Sequence, residues 1–320
     1  MKKIMIKGLL GIALLLQFSC SEKEHFDVTG DNVNRIFVNT RSSYVNEVSF
    51  NVIHTPIGNM GDDVTIKIPV RATMPVSNAT RVTLALDPNL IQQYNAQMQT
   101  AYKAVPTNLL ELGNGDLTIP SGATLSADSL SIRVRDIATL TDPSYVIPLK
   151  ITAISGASNA AISENLSTVF LRIHTRRTNV YDSPTSVLGT LITDRTGWTA
   201  QVSPTPTAGQ ANLMFTTSTQ QHWTLAPAAQ CDIDVDMGSI KEGVQGIRMV
   251  SANNYRVTQV ETFTSLDGVN WDSQGISTVS NANNQFIRFY APVRARHTRI
   301  RVLGWQNANF IRVIQYHIYQ

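Results

Sequence analysis

The chain has 320 residues, 42% of them hydrophobic, with 26 Lys and Arg against 23 Asp and Glu. That length fits about two domains with real cores, and a count of two cysteines excludes a disulfide-stapled scaffold. The formal charge of +3 comes from Lys2, Lys3 and Lys7; without them acids and bases balance, which removes the electrostatic case for nucleic acid.

Those lysines precede an apolar run from Gly8 to Phe18. A positive head and a short apolar run read as a secretory leader, too short to span a bilayer. Residues 1–19 are assigned to it and residues 20–27 to a tether. Ser19-Cys20 resembles a bacterial lipoprotein box, in which the cysteine is acylated and becomes the mature N-terminus. Gln17 and Phe18 depart from the Leu and small residue usual there. The alternative is an ordinary cleaved leader with an incidental cysteine. Ser21-Glu22-Lys23-Glu24 resembles the acidic signal of Bacteroidetes lipoproteins displayed on the outer face of the cell. The resemblance implies lipidation at Cys20, outer-membrane lipid as a partner, and a location facing the exterior. Two or more acyl chains, at about 0.8 kcal/mol per buried CH₂, hold a protein without a transmembrane helix. With Cys20 acylated, Cys231 has no partner, so the fold must stand without an internal disulfide.

Residues 28–175 read mostly as strands. Thr65 to Val70, Arg81 to Leu86, Ser131 to Val134 and Val169 to Ile173 alternate or run in aliphatic residues between turn formers. Asp87-Pro88 followed by Leu90 and Tyr94 predicts a short helix, with Asp87 as N-cap and Pro88 in the first turn. Gly113-Asn114-Gly115 and Pro120-Ser121-Gly122 supply turns, and such spacing predicts a β-sandwich. The blocks RVTLALDPNLIQQYN (81–95), LTIPSG (117–122) and YVIPLKITAISG (145–156) resemble the immunoglobulin-like N-terminal domain of Bacteroidetes surface lipoproteins. Some members of that family precede glycan-binding modules and others precede family 18 glycoside hydrolases. The resemblance implies a fold and a cellular setting but no chemistry.

Residues 176–182, in the polar run Arg176 to Pro184, read as a linker, since Pro184 disfavours helix at Ser183. The alternative is a basic patch for anionic glycans, resting on Arg176 and Arg177. Residues 183–320 are again all-β and hold all four tryptophans, Trp198, Trp223, Trp271 and Trp305. Glu261 to Trp271 carries an Asp-Gly turn between two strand-like arms, a hairpin signal. In Arg299 to Leu303 the alternation turns Ile300 and Val302 inward and leaves the arginines to solvent.

Seven blocks then follow in order: DRTGWTA (194–200), QHW (221–223), CDIDVDMGSI (231–240), GIRMV (246–250), YRVTQVETFTSLDGVNW (255–271), ARHTRIRVLGW (295–305) and IQYHIY (314–319). Together they resemble a discoidin, or coagulation-factor C-type, domain, to which family 32 carbohydrate-binding modules are similar. The resemblance implies an eight-stranded, galactose-binding-like jelly roll, so the chain is expected to be all-β, with two sandwiches in series. Family members often hold a structural calcium through an acidic loop and a Glu in the last strand. Here Asn212 to Thr217 lacks a carboxylate and Gln315 stands at the Glu position, so the calcium site is expected to be absent or degenerate, and no cofactor is expected.

Catalytic signatures are missing: no G-x-S-x-G, H-E-x-x-H, C-x-x-C or phosphate-binding loop occurs. His174, His297 and His317 sit in strand-like runs and read as sheet-face residues. Asp232, Asp234 and Asp236 alternate along one strand. Paired carboxylates can serve glycoside hydrolysis, but this spacing equally describes a solvated strand face, which is the reading preferred. Cys231 reads as a small buried apolar residue, and Trp198 and Trp271 as packing residues.

In the discoidin arrangement the loops at one end of the sandwich form the ligand edge. Leu303 to Phe310 and Ser251 to Arg256 are expected there, giving Trp305, Asn307, Asn309, Phe310, Asn253, Asn254 and Arg256 as candidate glycan-binding residues. Aromatic rings cover the C–H face of a pyranose, and amides and guanidinium groups bond its hydroxyls. One of Trp305 and Phe310 is expected to plug the sandwich and the other to stay exposed. The chain thus reads as a non-catalytic surface lipoprotein that binds glycan or polysaccharide, working beside polysaccharide-uptake proteins. A cell-adhesion or structural protein that binds a protein partner is the rival, and a glycoside hydrolase the remote one.

Overall fold

The computed structural model describes residues 33–38, 40 and 46–320. The leader, Cys20 and the tether lie outside the described residues.

The first strands are β1 (Asn34–Val38), β2 (Glu47–Thr55), β3 (Gly58–Gly61), β4 (Thr65–Ile68), β5 (Val70–Ala72) and β6 (Thr80–Leu86). After helix α1 (Leu90–Met98) come β7 (Lys103–Ala104), β8 (Leu110–Leu112), β9 (Asp116–Ile119) and β10 (Leu130–Val134). The half closes with β11 (Ser144–Ser155), β12 (Ala160–Ile162) and β13 (Thr168–Arg177). A broad sheet runs β3-β2-β13-β11-β6-β9 with β7 beside β11, and two smaller sheets run β4-β10-β8 and β12-β1-β5. In β10 every second residue is buried, because successive side chains of a strand point to opposite faces. Val52, Leu84, Ile132, Leu149 and Leu171 meet in the core of this β-sandwich.

Two local expectations are corrected. Thr65 to Val70 is not one strand, because β4 and β5 belong to different sheets and the chain changes sheet at Pro69, which has no N–H for a ladder. Helix α1 begins at Leu90 rather than Pro88. The Asp87 carboxylate accepts from the Asn89 amide at 3.2 Å, so Asn89 takes the N-cap position. Tyr94 then packs on Tyr102, Val146 and Phe170, and its hydroxyl donates to Glu47 at 2.6 Å.

Residues after β13 are not a free joint. Thr178 and Asn179 are buried. The Asn179 amide donates to the Gln274 carbonyl at 2.6 Å, and its side chain bonds Gln274 and both backbone groups of Ala291. Tyr181 stacks on Tyr290 at 3.8 Å. The polar residues read as a linker pack on the edge of the second sandwich.

That sandwich comprises β14 (Thr199–Ser203), β15 (Trp223–Leu225), β16 (Cys231–Ser251), β17 (Val257–Ser265), β18 (Asp272–Thr278), β19 (Asn284–Trp305) and β20 (Ile311–Tyr319). Strands β16 and β19 are 21 and 22 residues long, and their pairing shifts register between Asp236 and Gly246. Before the shift β16 lies between β14 and the end of β19; after it, β16 lies between β20 and the start of β19. Two bent strands therefore serve both layers, and seven strands do the work expected of eight. Trp223, Ile233, Ile247, Ile300, Val302 and Tyr316 fill the space between, so Ile300 and Val302 face inward as their alternation predicts.

Candidate functional site

One end of the second sandwich is made by three loops. Residues 252–256 join β16 to β17, residues 279–283 join β18 to β19, and residues 306–310 join β19 to β20. The first and last meet because β17 pairs with β19, setting Val257 opposite Trp305. The Gln306 amide donates to the Arg256 carbonyl at 2.9 Å and the Arg312 amide to the Tyr255 carbonyl at 3.2 Å. Beneath them lies Gln285, fully buried. It accepts from the Ser251 hydroxyl at 2.8 Å and donates to the carbonyls of Val257 and Ser280, so one polar side chain ties both ends of the 252–256 loop to the 279–283 loop.

Arg256 is the polar centre of this edge. Its Nε and Nη2 donate to Asn283 Oδ1 at 3.1 and 2.9 Å. Nη2 also reaches Asn253 Oδ1 at 2.8 Å, and Nη1 reaches the carbonyl and Oδ1 of Asn281 at 3.2 and 2.9 Å. Phe310 meets Tyr255 edge-on, with centroids 5.5 Å apart at 87°, and the Arg312 guanidinium lies 5.0 Å from the Tyr255 ring centre. Asn307 Oδ1 accepts from the Asn309 amide at 2.8 Å, shaping the turn. Asn254 is exposed with φ +65°, a left-handed conformation that asparagine tolerates.

The structure thus brings together Asn253, Arg256 and Phe310, with Asn254 and Asn309 exposed on the same rim. The split between Trp305 and Phe310 is corrected: both rings are half-buried, Trp305 packed against the sandwich core and Phe310 against Tyr255. Three residues were missed, Tyr255, Asn281 and Asn283. The signal available was the uncharged polar run Ser280-Asn281-Ala282-Asn283-Asn284, which resembles the other two loops in composition.

The outer face of the β14-β16-β19-β17 layer is different. Asp232, Asp234 and Asp236 are half-buried in ion pairs rather than freely solvated, and so are Arg299 and Arg301. Asp234 stands opposite Arg299 and Asp232 opposite Arg301, and each arginine grips its partner with two nitrogens, at 2.6 and 2.7 Å and at 2.9 and 3.0 Å. Arg296 holds Asp236 in the same way, at 2.9 and 2.8 Å, and the Asp236 carboxyl is pulled below the usual carboxylate range by that hydrogen-bonded partner. Antiparallel pairing puts residues of opposite charge face to face, where cross-strand attraction is strongest. Trp271, assigned to packing, instead lies half-exposed on this face with the Arg299 guanidinium 4.2 Å from its ring centre. Trp198 is buried, edge-on to Phe215. With every carboxylate of the row engaged by an arginine, no free acid–base pair is presented here. Cys231, at the start of the same strand, is buried, and desolvation pushes its thiol up to about 12.

At the loop where the resemblance would put calcium, Arg195 donates to the Phe215 carbonyl at 2.9 Å and Asn212 Oδ1 accepts from the Ala200 amide at 2.6 Å. Gln315 donates to the Thr217 carbonyl at 3.3 Å. Among the described residues no group of three or more His, Cys, Asp or Glu side chains is placed to hold a metal ion. Among them too, no helix is long and apolar enough to cross a membrane.

Comparison with known proteins follows the same division. A family model described as an N-terminal domain matches residues 31–158, and the F5/8 type C domain model matches residues 197–314. Among solved structures, a two-domain protein of unknown function from Bacteroides fragilis is similar over 90% of this chain and 95% of its own. Its TM-score is 0.54 at 14% identity, which shows a shared fold. A family 32 carbohydrate-binding module from Clostridium perfringens, solved with galactose, covers 42% of this chain and 100% of its own, at 16% identity and a TM-score of 0.37. The C-terminal domain of a chitobiase from Bacteroides fragilis covers 40% of this chain and 96% of its own, at 16% identity and a TM-score of 0.34. No curated protein matches the chain.

Proposed function

With residues 197–314 forming an F5/8 type C (discoidin) domain, we propose that the chain is a cell-surface lipoprotein that binds glycans, without transforming them, through the loop edge of its second sandwich. The observation that carries this reading is the convergence of the Tyr255–Phe310 ring pair, Arg256 and exposed amides on three neighbouring loops. Rings of this kind cover the C–H face of a pyranose, while amides fix its hydroxyls. The first sandwich acts as a spacer. Acylated Cys20 holds the chain in the outer membrane, facing the exterior beside polysaccharide-uptake proteins; the support for this is the leader with its lysines, apolar run and cysteine.

A shallow edge with few bonds corresponds to dissociation constants of about 10 μM to 1 mM, which many tethered copies on one cell convert into useful avidity. A glycan array with the mature chain tests the reading. Hits are expected, and they are expected to vanish in Tyr255→Ala/Phe310→Ala. An empty array, or hits unchanged in that variant, overturns it; capture of one protein that sugars do not displace favours adhesion instead. Lipidation is tested separately, since palmitate labelling is expected to disappear in Cys20→Ser.

A further inference from the structure

We propose that the loop edge selects acidic glycans, meaning sugars that carry a carboxylate or a sulfate. The inference rests on the glycan reading above and adds the class of ligand.

It begins with what Arg256 does to its neighbours. A guanidinium only donates hydrogen bonds, so the amides around it have one allowed orientation. Asn253, Asn281 and Asn283 each turn Oδ1 toward Arg256. Their NH₂ groups therefore point away from it. All three residues are exposed, and none of these NH₂ groups has a protein acceptor among the described residues. Asn283 Oδ1 takes two of these bonds and Asn253 and Asn281 Oδ1 one each, so beside Arg256 the outward part of each amide is its donor group. A neutral sugar hydroxyl both gives and takes a hydrogen bond, so these outward NH₂ groups meet only its accepting side. A carboxylate or sulfate oxygen only accepts, so it matches these outward donors.

Charge points the same way. Residues 251–257, 279–285 and 305–312, which make the edge, contain Arg256 and Arg312 and no Asp or Glu. The partners of Arg256 are neutral oxygens. Arg312 gives its Nε to the Thr224 hydroxyl at 3.1 Å and rests over Tyr255, and its terminal nitrogens have no protein acceptor among the described residues. Two full positive charges thus flank the aromatic pair without a carboxylate to balance them. An anion placed on this rim gains bonds strengthened by charge, and the polarised amides of Asn253, Asn281 and Asn283 deliver the field of Arg256 outward.

The test measures affinities of the mature chain for matched ligand pairs. A neutral galactan, an oligogalacturonate, a sialylated galactoside and a sulfated galactan serve as probes. At least one acidic probe is expected to bind about ten-fold or more tighter than its neutral counterpart, with the gap closing as salt rises from about 50 to 500 mM. Asn283→Asp, which keeps the shape but gives Arg256 a carboxylate partner, is expected to lower the acidic-to-neutral affinity ratio about ten-fold. The uronate, sialate and sulfate arms identify the acid. Neutral probes binding as well as acidic ones, or a ratio untouched by Asn283→Asp, overturns the inference and leaves the glycan reading standing. Failure of every probe, neutral and acidic, overturns both.

Discussion

The second sandwich carries two sets of arginines that it treats in opposite ways. On the outer sheet face Arg296, Arg299 and Arg301 each clasp a carboxylate of β16. At the loop edge Arg256 is held by three asparagines and Arg312 by a threonine and a tyrosine ring. Strand pairing supplies the difference, because β16 and β19 place acid and base in register, whereas loops have no such ladder. Near-neutrality of the whole chain is therefore an average over a compensated face and an uncompensated edge. Only the second leaves charge available to a ligand.

The largest effect expected comes from a third set of arginines, Arg195 and Arg248, which act on His317. His317 is buried on β20, where its Nδ1 accepts from Arg195 at 2.6 Å and its Nε2 donates to Gln315 at 3.0 Å. It must be neutral to accept. Burial first, then Arg248 and Arg195, lowers its pKa from 6.5 to about 4. A base depressed on folding takes up more protons unfolded than folded, so its contribution is complete above the unfolded pKa and is lost as pH falls toward the folded one. Between pH 6.5 and about 4 the unfolding free energy should fall by up to about 3 kcal/mol. Urea titrations across that range measure it, and His317→Gln should flatten the slope. The Asp236 pair contributes separately, because a lowered carboxyl pKa is lost only at lower pH.

Next in size is Asp234→Ala. The Arg299 side chain is 23% and Asp234 31% exposed, between the exposed pairs that contribute little and the buried pairs whose breakage costs 3–5 kcal/mol. A cost of about 2 kcal/mol is expected, because the variant removes both short bonds of the half-buried Arg299 and leaves it only the longer 3.7 Å pairing with Asp232. Chemical denaturation checks this; an unchanged midpoint would show the sheet face to be as loosely held as the edge.

How legible these features were depended on how local they are. The strand alternation of Ser131 to Val134 and the Asp267-Gly268 turn are written in neighbouring residues, and the structure follows them, with the strand starting one residue earlier at Leu130. The carboxylate of Asp267 accepts from the Val269 and Asn270 amides, both at 2.8 Å, as a turn aspartate should. Alternation also put Asp234 and Arg299 on a face, but it could not say that the two faces were one, since their pairing joins positions far apart in the chain. The candidate edge was half legible for the same reason. Asn253, Arg256 and Phe310 came from loops recognised by resemblance, while Asn281 and Asn283 depend on a third loop whose role appears only once Gln285 is seen bonding across the fold. The turn of the chain at Pro69 was readable in principle, because a proline inside a strand-like run is a warning that the ladder breaks there.

The smallest effect expected tests the comparison most directly. Asn283→Ala removes the oxygen that meets both Nε and Nη2 of Arg256, so on contacts alone it resembles the loss of Asp234 from Arg299. The two sites differ in what replaces the lost acceptor. Asn283 is exposed and Arg256 half-exposed, so water reaches the freed N–H groups at once, and Asn253 and Asn281 still hold the guanidinium. The change in unfolding free energy should stay within about 0.5 kcal/mol, the ordinary range for a surface substitution. Measured in the same denaturant series as Asp234→Ala, it should give the shallower shift by a clear margin. Equal shifts would mean that the asparagine cradle stabilises the fold as the carboxylate row does. The arginine at the edge would then be a structural tie, and the contrast between a compensated face and an available charge would fail.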